Sequence, residues 1–296
     1  MYNMKLNLSV LSLIACCYLS LACKKNIAQT PPLKKEAAAI LSPGATLTAD
    51  GKTDTYTLIN KVFGGTGDVV EVPDCGHVAF GKHIRQVFDK DLNAYVFVFF
   101  LHVTPDNDRC TPKTDRQRIE IKTYDKSPDS LIAALNNTFT YKWKMKLDKD
   151  FQASPSFSHL HQIKPGDGDA DMPIITLTAR NKKAGNKLEI IHNGGGDEQS
   201  SLGKLHEVSL KDFEGQWVEF TETLKFSEHG SYELKAIRLA DQQELLHFKK
   251  ENLNLWRQGT SFCRPKWGLY RSLNDKSYLR DEEIRFNDFS IQKLGK

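Results

Sequence analysis

Apolar and polar residues alternate with a period of two along most of the chain, which is the pattern of half-buried β-strands. In the segment DRQRIEIKTY four charged side chains share one face (Arg116, Arg118, Glu120 and Lys122), and the residues between them share the other. Segments of the same kind are YVFVFFLHV, TFTYKWKMKLD, SFSHLHQIK, MPIITLTAR, NKLEIIHN, QWVEFTETLKF, YELKAIRLAD and EIRFNDFSIQK. Turn sequences such as PGDGD, NKKAGN, NGGG and EHGS separate them. This spacing predicts one all-β domain over residues 46–296, a sandwich of jelly-roll type.

Two local elements are more specific than this general pattern. The segments HIRQVFD and YVFVFFLHV are joined by KDLNA, which predicts a β-hairpin. Helical periodicity is weak, and the best candidate for a short helix is SPDSLIAALNN, with Ser127 as its N-cap before Pro128.

The N-terminus reads as an export signal followed by a tether. Lys5 precedes the apolar run LNLSVLSLIACCYLSLAC, which ends at KKN. We expect a lipoprotein-type signal peptide over residues 1–23, with lipidation at Cys23, or at Cys16 as the alternative. A plain cleaved signal or an uncleaved anchor remains the other interpretation. Residues 24–45 are polar and contain proline, which predicts a flexible tether to an exported, membrane-anchored domain.

The net charge of +4 comes from this N-terminal part alone. Five lysines and one glutamate lie in the first 45 residues, so the remaining chain has equal numbers of basic and acidic residues. A general electrostatic attraction to nucleic acid is therefore excluded.

Three of the six cysteines lie outside the signal. We expect a disulfide between Cys75 and Cys110, because both flank the same pair of predicted strands, and a free Cys263; other pairings stay open. The spacing does not fit a zinc site, and we predict no metal. The loop DGDAD imitates a calcium loop but has Met172 and Thr178 where the glycine and the last acid belong, so calcium is an optional extra.

Three predicted strands place chemically useful side chains on one face. The first is the charged strand described above, and the second carries His159 and His161, with Gln162 on the opposite face. The third, RPKWGLYRS, carries Lys266, Gly268 and Tyr270 on one face, and Trp267, Leu269 and Arg271 on the other. If these faces line one groove, its cations suit a carboxylated sugar polymer. The alternative for each strand is a solvated face with cross-strand ion pairs.

Together the three strands resemble the jelly-roll polysaccharide lyases, which include alginate, glucuronan and heparin-lyase-like enzymes. In the alginate lyases one strand carries Arg-x-Glu, one carries Gln-Ile-His and a late strand carries Lys-x-Gly-x-Tyr. Here RIE, HLH and KWGLY occur in that order, with histidine in the glutamine position. The resemblance implies a concanavalin-like β-jelly-roll sandwich with a concave substrate groove.

The resemblance also implies a reaction, β-elimination on an acidic, uronate-containing polysaccharide. We expect an endo-acting monomer that requires no cofactor. Tyr270 would be the acid and also a candidate base, His161 the rival base, and His159 with Arg118 would neutralise the uronate carboxylate. Gly268 would let the sugar chain approach the backbone. The substrate-binding residues would be Arg116, Glu120, Lys122, Lys266, Arg271 and His83. Two alternatives are a non-catalytic carbohydrate-binding module and a glycoside hydrolase that uses Glu120 with a second carboxylate.

Overall fold

The computed structural model describes residues 44–66, 68–195 and 201–295. In these residues the first antiparallel sheet has eight strands, numbered here in chain order over the whole protein: β1 Ala45–Leu47, β3 Ile84–Asp89, β4 Ala94–Leu101, β6 Thr138–Lys146, β11 Val218–Lys225, β12 Gly230–Arg238, β13 Glu244–Leu253 and β15 Glu282–Leu294. Their order across the sheet is β13, β12, β11, β6, β15, β4, β3, with β1 also paired to β15. The predicted hairpin is confirmed as β3 and β4.

The second antiparallel sheet has seven strands: β2 Val70–Glu71, β5 Arg116–Lys122, β7 Ser158–Pro165, β8 Ile175–Arg180, β9 Lys187–His192, β10 Gly203–Ser209 and β14 Cys263–Ser272. Their order is β10, β9, β8, β7, β14, β5, β2. Two antiparallel sheets with these crossovers confirm the predicted all-β jelly-roll sandwich.

One apolar core lies between the sheets, built by the inward-facing residues of both. Along β6 every second residue is buried, ending in Trp143 and Met145. Trp143 meets Trp267 of β14 with the ring centroids 6.2 Å apart, so Trp267 is a core residue, as its face predicted. Each such large side chain stabilises the fold by about 1.5–3 kcal/mol on burial.

The helical prediction was wrong in position. The α-helix found in the described residues is α1, Thr55–Phe63, where the Asp54 side chain accepts a hydrogen bond from the Thr57 amide and Gly64 closes the helix at φ 72°. Around Ser127 the chain forms turns instead, because the hydroxyl accepts from the Tyr124 amide and donates to the Phe63 carbonyl. Two short 3-10 helices, Leu210–Phe213 and Lys276–Tyr278, complete the helical elements that the structure describes.

The predicted disulfide between Cys75 and Cys110 is confirmed, and Cys263 is free and buried. Burial raises the pKa of the Cys263 thiol to about 12. The predicted signal peptide and almost all of the tether lie outside the described residues. Among the described residues, no helix is both long and apolar enough to span a bilayer.

Candidate active site

Strands β5, β14 and β7 are neighbours in the second sheet, so the three polar strands lie side by side. The register places Tyr270 opposite Arg118 of β5 and opposite His159 of β7. It also places Gly268 opposite Glu120. The structure therefore brings together the Arg118 guanidinium, the Tyr270 phenol and the His159 imidazole.

A buried charge cluster occupies the centre of this face. Lys266 Nζ lies 2.5 Å from Glu71 Oε2 and 2.7 Å from Glu120 Oε2. Arg118 Nη1 lies 2.7 Å from Glu120 Oε2, and Arg118 Nε lies 2.8 Å from Asp108 Oδ1. Burial alone would raise the pKa of Glu120, but Lys266 and Arg118 outweigh it and hold that pKa below its ordinary value. The same competition keeps the pKa of Glu71 well below its ordinary value.

Further cations give this face an excess of positive charge. Lys122 Nζ and Arg109 Nη1 lie 2.8 Å and 2.9 Å from Glu71 Oε1, so the cluster holds four cations and three carboxylates. Lys164 and Arg264 face each other at one end of the strands and donate to backbone carbonyls. Neither of them forms an ion pair with a described carboxylate. Glu71 was not found by the sequence analysis, because it lies on a two-residue strand.

Tyr270 lies between two guanidinium groups. Arg116 Nη1 donates to Tyr270 Oη at 2.8 Å, and the guanidinium carbon of Arg118 is 3.7 Å from the centroid of the phenol ring. The rings of Phe157 and His159 lie 5.1 Å and 5.7 Å from it. Tyr270 is half-buried, and its phenol is flanked by positive charge, which stabilises negative charge that develops on the oxygen.

His159 is a neutral base in this environment. Desolvation lowers the pKa of the imidazole to about 3, and the charges of Arg180, Arg118 and Lys266 add to this effect against the opposing Glu120. Its Nδ1 is buried and has no hydrogen-bond partner within the described residues. The neutral ring carries no charge to set against a carboxylate, but one ring nitrogen can donate a hydrogen bond to a carboxylate and the other can accept a proton as a weak base.

His161 faces the core, and its predicted place beside His159 is wrong. A β-bulge shifts the register of β7 between His159 and His161, and one extra residue turns the following side chains to the other face. His161 Nε2 instead lies 2.8 Å from Glu222 Oε2, and its ring stacks on Trp143. Gln162, expected on the opposite face, donates to Glu120 Oε1 in the charge cluster.

Two other predicted binding residues also lie away from this face. Arg271 is fully buried and donates to Gln117 Oε1 at 2.7 Å and to the Arg280 carbonyl at 2.9 Å. This agrees with the alternation along β14, which puts Arg271 on the face that does not carry Tyr270. His83 is buried and contacts Asp74 and Asp106.

Gly268 is required by the close contact between two strands. Its φ is +148°, and a Cβ there would lie 2.0 Å from the carbonyl oxygen of Ile119 and 2.7 Å from Cα of Glu120. The neighbouring β5 backbone therefore excludes any side chain at this position.

The register also decides which histidine can act with Tyr270. The first two residues of the Gln-Ile-His motif occur at Gln162 and Ile163, but the residue that follows them is Lys164 and not a histidine. Lys164 pairs with Arg264, which lies six residues from Tyr270 along β14, or about 20 Å at the rise of a strand. His159 is directly opposite Tyr270, so it is the histidine that can share a substrate atom with the phenol.

A cleft of about 620 Å³ lies at the Arg264 end of the row and is also lined by Lys122, Tyr124 and Phe262. The DGDAD loop borders this cleft. The first two carboxylates of the loop already bind other residues of the protein. Asp167 accepts from the amide and hydroxyl of Ser261, and Asp169 pairs with Arg257.

Solved structures with the same fold include alginate lyases. The family 14 alginate lyase from Aplysia kurodai has a TM-score of 0.53 and 12% identity, covering 84% of this chain and 99% of its own. The family 7 alginate lyase A1-II′ has a TM-score of 0.51 and 14% identity, covering 77% and 94%. A doubly substituted form of A1-II′ in complex with substrate has a TM-score of 0.50 and 13% identity, covering 78% and 96%. No protein-family model and no curated protein matches the chain. At these identities the likeness defines the fold, a jelly-roll sandwich shared with polysaccharide lyases.

Proposed function

We propose that this protein is a polysaccharide lyase that cleaves a uronate-containing polymer by β-elimination. The observation that carries the proposal is the group around Tyr270, in which a phenol lies between Arg116 and Arg118 and opposite a neutral His159. An acid, a base and cations for a carboxylate within one row are the parts that elimination requires.

In the proposed reaction His159 removes the proton at C5 of the uronate. The electron pair of the C5–H bond forms the C4–C5 double bond, and the bond from C4 to the leaving oxygen breaks. Tyr270 Oη gives its proton to that oxygen. Arg116, which is half-exposed, faces the uronate carboxylate and stabilises the enolate-like charge that develops during proton removal.

The charge balance of the face supports an acidic polymer as substrate. The central cluster has one more cation than carboxylates, and Lys164 and Arg264 extend the positive row to the cleft. A row of about 20 Å suits several consecutive sugar units, so we infer endo-acting cleavage with the reacting bond at Tyr270.

A hydrolase is less well supported by the same face. The carboxylates at the centre of this face are Glu71 and Glu120, and Lys266 contacts both. Their lowered pKa values keep them ionised, whereas a glycoside hydrolase needs one protonated carboxyl group.

We also propose that the domain acts outside the cytoplasm, tethered through a lipidated Cys23 or Cys16. The disulfide between Cys75 and Cys110 supports this location, since disulfides persist in oxidising compartments.

The experiment is ultraviolet absorbance over time with alginate, glucuronan and glycosaminoglycans, run beside an assay for new reducing ends. Elimination raises both signals, because it leaves a conjugated double bond. New reducing ends without absorbance would indicate a hydrolase and refute the proposal. Binding to a polymer without either signal would indicate a carbohydrate-binding module. Early appearance of mixed oligosaccharide lengths would support the endo mode.

A further inference from the structure

Three imidazoles converge on one buried carboxylate outside the proposed catalytic row. Asp106 Oδ1 lies 2.9 Å from His77 Nδ1 and 3.1 Å from His83 Nε2, and Asp106 Oδ2 lies 3.0 Å from His102 Nδ1. The four potential ligand atoms all lie within 4.8 Å of one another. From this geometry we infer a site for one divalent transition-metal ion, with Zn²⁺ as the ion that the ligand set favours.

The fold brings these residues together from two loops. His83 directly precedes β3 and His102 directly follows β4, and these strands are antiparallel neighbours. His77 and Asp106 lie six and four residues further out along the same two loops. The spacing is invisible as a metal motif in the sequence, because the pairs are brought together by the hairpin register.

The ligand set and its distances fit zinc. Imidazole nitrogens and a carboxylate are ordinary Zn²⁺ ligands at about 2.0–2.2 Å, which places tetrahedral ligand atoms about 3.3 Å apart. The observed contacts of 2.9–3.1 Å to Asp106 need to open by a few tenths of an ångström, and the longer separations in the group, up to 4.8 Å, need to close around the ion. His77 and His102 are 22% and 18% exposed, which leaves an entry path, whereas His83 and Asp106 are inaccessible.

The surroundings resemble the outer shell of a metal site. His83 Nδ1 lies 2.8 Å from Asp74 Oδ1, which fixes the ring so that Nε2 points to the centre of the cluster. Asp74 is itself held by the hydroxyl of Tyr56 at 2.8 Å and by the His83 amide at 3.1 Å. Phe80 covers the three imidazoles, with ring centroids 4.4–5.3 Å away. An apolar cover of this kind limits the access of water to the ion.

The site would fix the loop that orients the catalytic row. Asp108, two residues after Asp106, accepts from Arg118 Nε at 2.8 Å. Gln117 donates to the carbonyls of His102 and Asp106, and the disulfide at Cys110 closes the loop. We therefore expect a structural role for the ion, and this inference departs from the sequence-based expectation of no metal.

The test uses the protein without a histidine tag, stripped with a chelator and dialysed against Zn²⁺. We expect about one zinc ion per chain by elemental analysis. At a free Zn²⁺ concentration 100-fold above Kd, binding linkage predicts a rise in Tm of about 5–10 °C. Co²⁺ in place of Zn²⁺ should give the visible absorbance of a tetrahedral ion.

Matched variants locate the ion. His77→Ala and His102→Ala, at partly exposed positions, should each weaken binding by about 100-fold or more, and Asp74→Asn by about 10–100-fold. His229→Ala, at an exposed histidine, should bind like the wild type. Less than about 0.1 zinc per chain with an unchanged Tm would mean an imidazolium ion pair only and would overturn the inference. Wild-type binding by both folded ligand variants would also overturn it. These readouts do not depend on lyase activity, so they stand apart from the proposed function.

Discussion

The hydroxyl of Tyr270 is the atom on which the proposed mechanism depends most directly. Tyr270→Phe removes that oxygen and leaves the ring, with its contact to Arg118 at 3.7 Å and its packing against Phe157. The structural loss is one partly exposed hydrogen bond from Arg116, about 0.5–1.5 kcal/mol. For a domain of this size we expect Tm to fall by only a few degrees.

The catalytic loss should be much larger. Removing a general acid costs about 10²–10⁴ in rate, which corresponds to about 3–5 kcal/mol of activation free energy. The assay is the initial rate of double-bond formation on the best polymer, with polymer affinity measured separately by titration calorimetry. Tyr278→Phe, at a residue that is 49% exposed, is the matched control and should keep wild-type rate and affinity. A folded Tyr270→Phe variant with kcat within about threefold of the wild type would refute the assignment of Tyr270 as the acid.

Three further predictions test the surroundings of Tyr270. Glu120→Gln should lower the free energy of unfolding in urea by about 3–5 kcal/mol, because it breaks the buried pair with Lys266. The control Glu251→Gln, at a surface ion pair, should lower it by less than about 1 kcal/mol. Equal losses in the two variants would contradict a buried charge cluster around Glu120. kcat/KM should not fall between about pH 7 and pH 5, because His159, with a pKa of about 3, stays unprotonated there; an acid limb near pH 6.5 would contradict the lowered pKa of His159. Arg264→Gln should raise KM with kcat unchanged, while Arg238→Gln, a surface arginine on the other sheet, should change neither; an unchanged KM for Arg264→Gln would exclude the cleft as a subsite.

The sequence was sufficient for most strands because each has one face in the core. The alternation in β5, β6 and β14 survives in the structure, and it placed Lys266, Gly268 and Tyr270 on one face correctly. The strands that the sequence analysis did not identify were the two- and three-residue elements β1 and β2, together with β10 and β13. Two or three residues cannot show a period.

The sequence-based errors on β7, at His161 and Gln162, have a single physical origin. A bulge is invisible in a hydrophobic pattern, and one inserted residue exchanged the positions of His161 and Gln162 between the core and the polar face. Glu71 had no local signal either, since its importance arises from contacts with Lys266 and Arg118, which are distant in sequence.

The proposed function requires that the glycosidic bond is broken by elimination and not by addition of water. The most direct measurement is mass spectrometry of the oligosaccharides released in water enriched in heavy oxygen. Elimination should give fragments that are one water lighter than the saturated oligomers at the new non-reducing end and that take up no label at cleavage. Saturated fragments that carry one heavy oxygen from the cleavage step would contradict it.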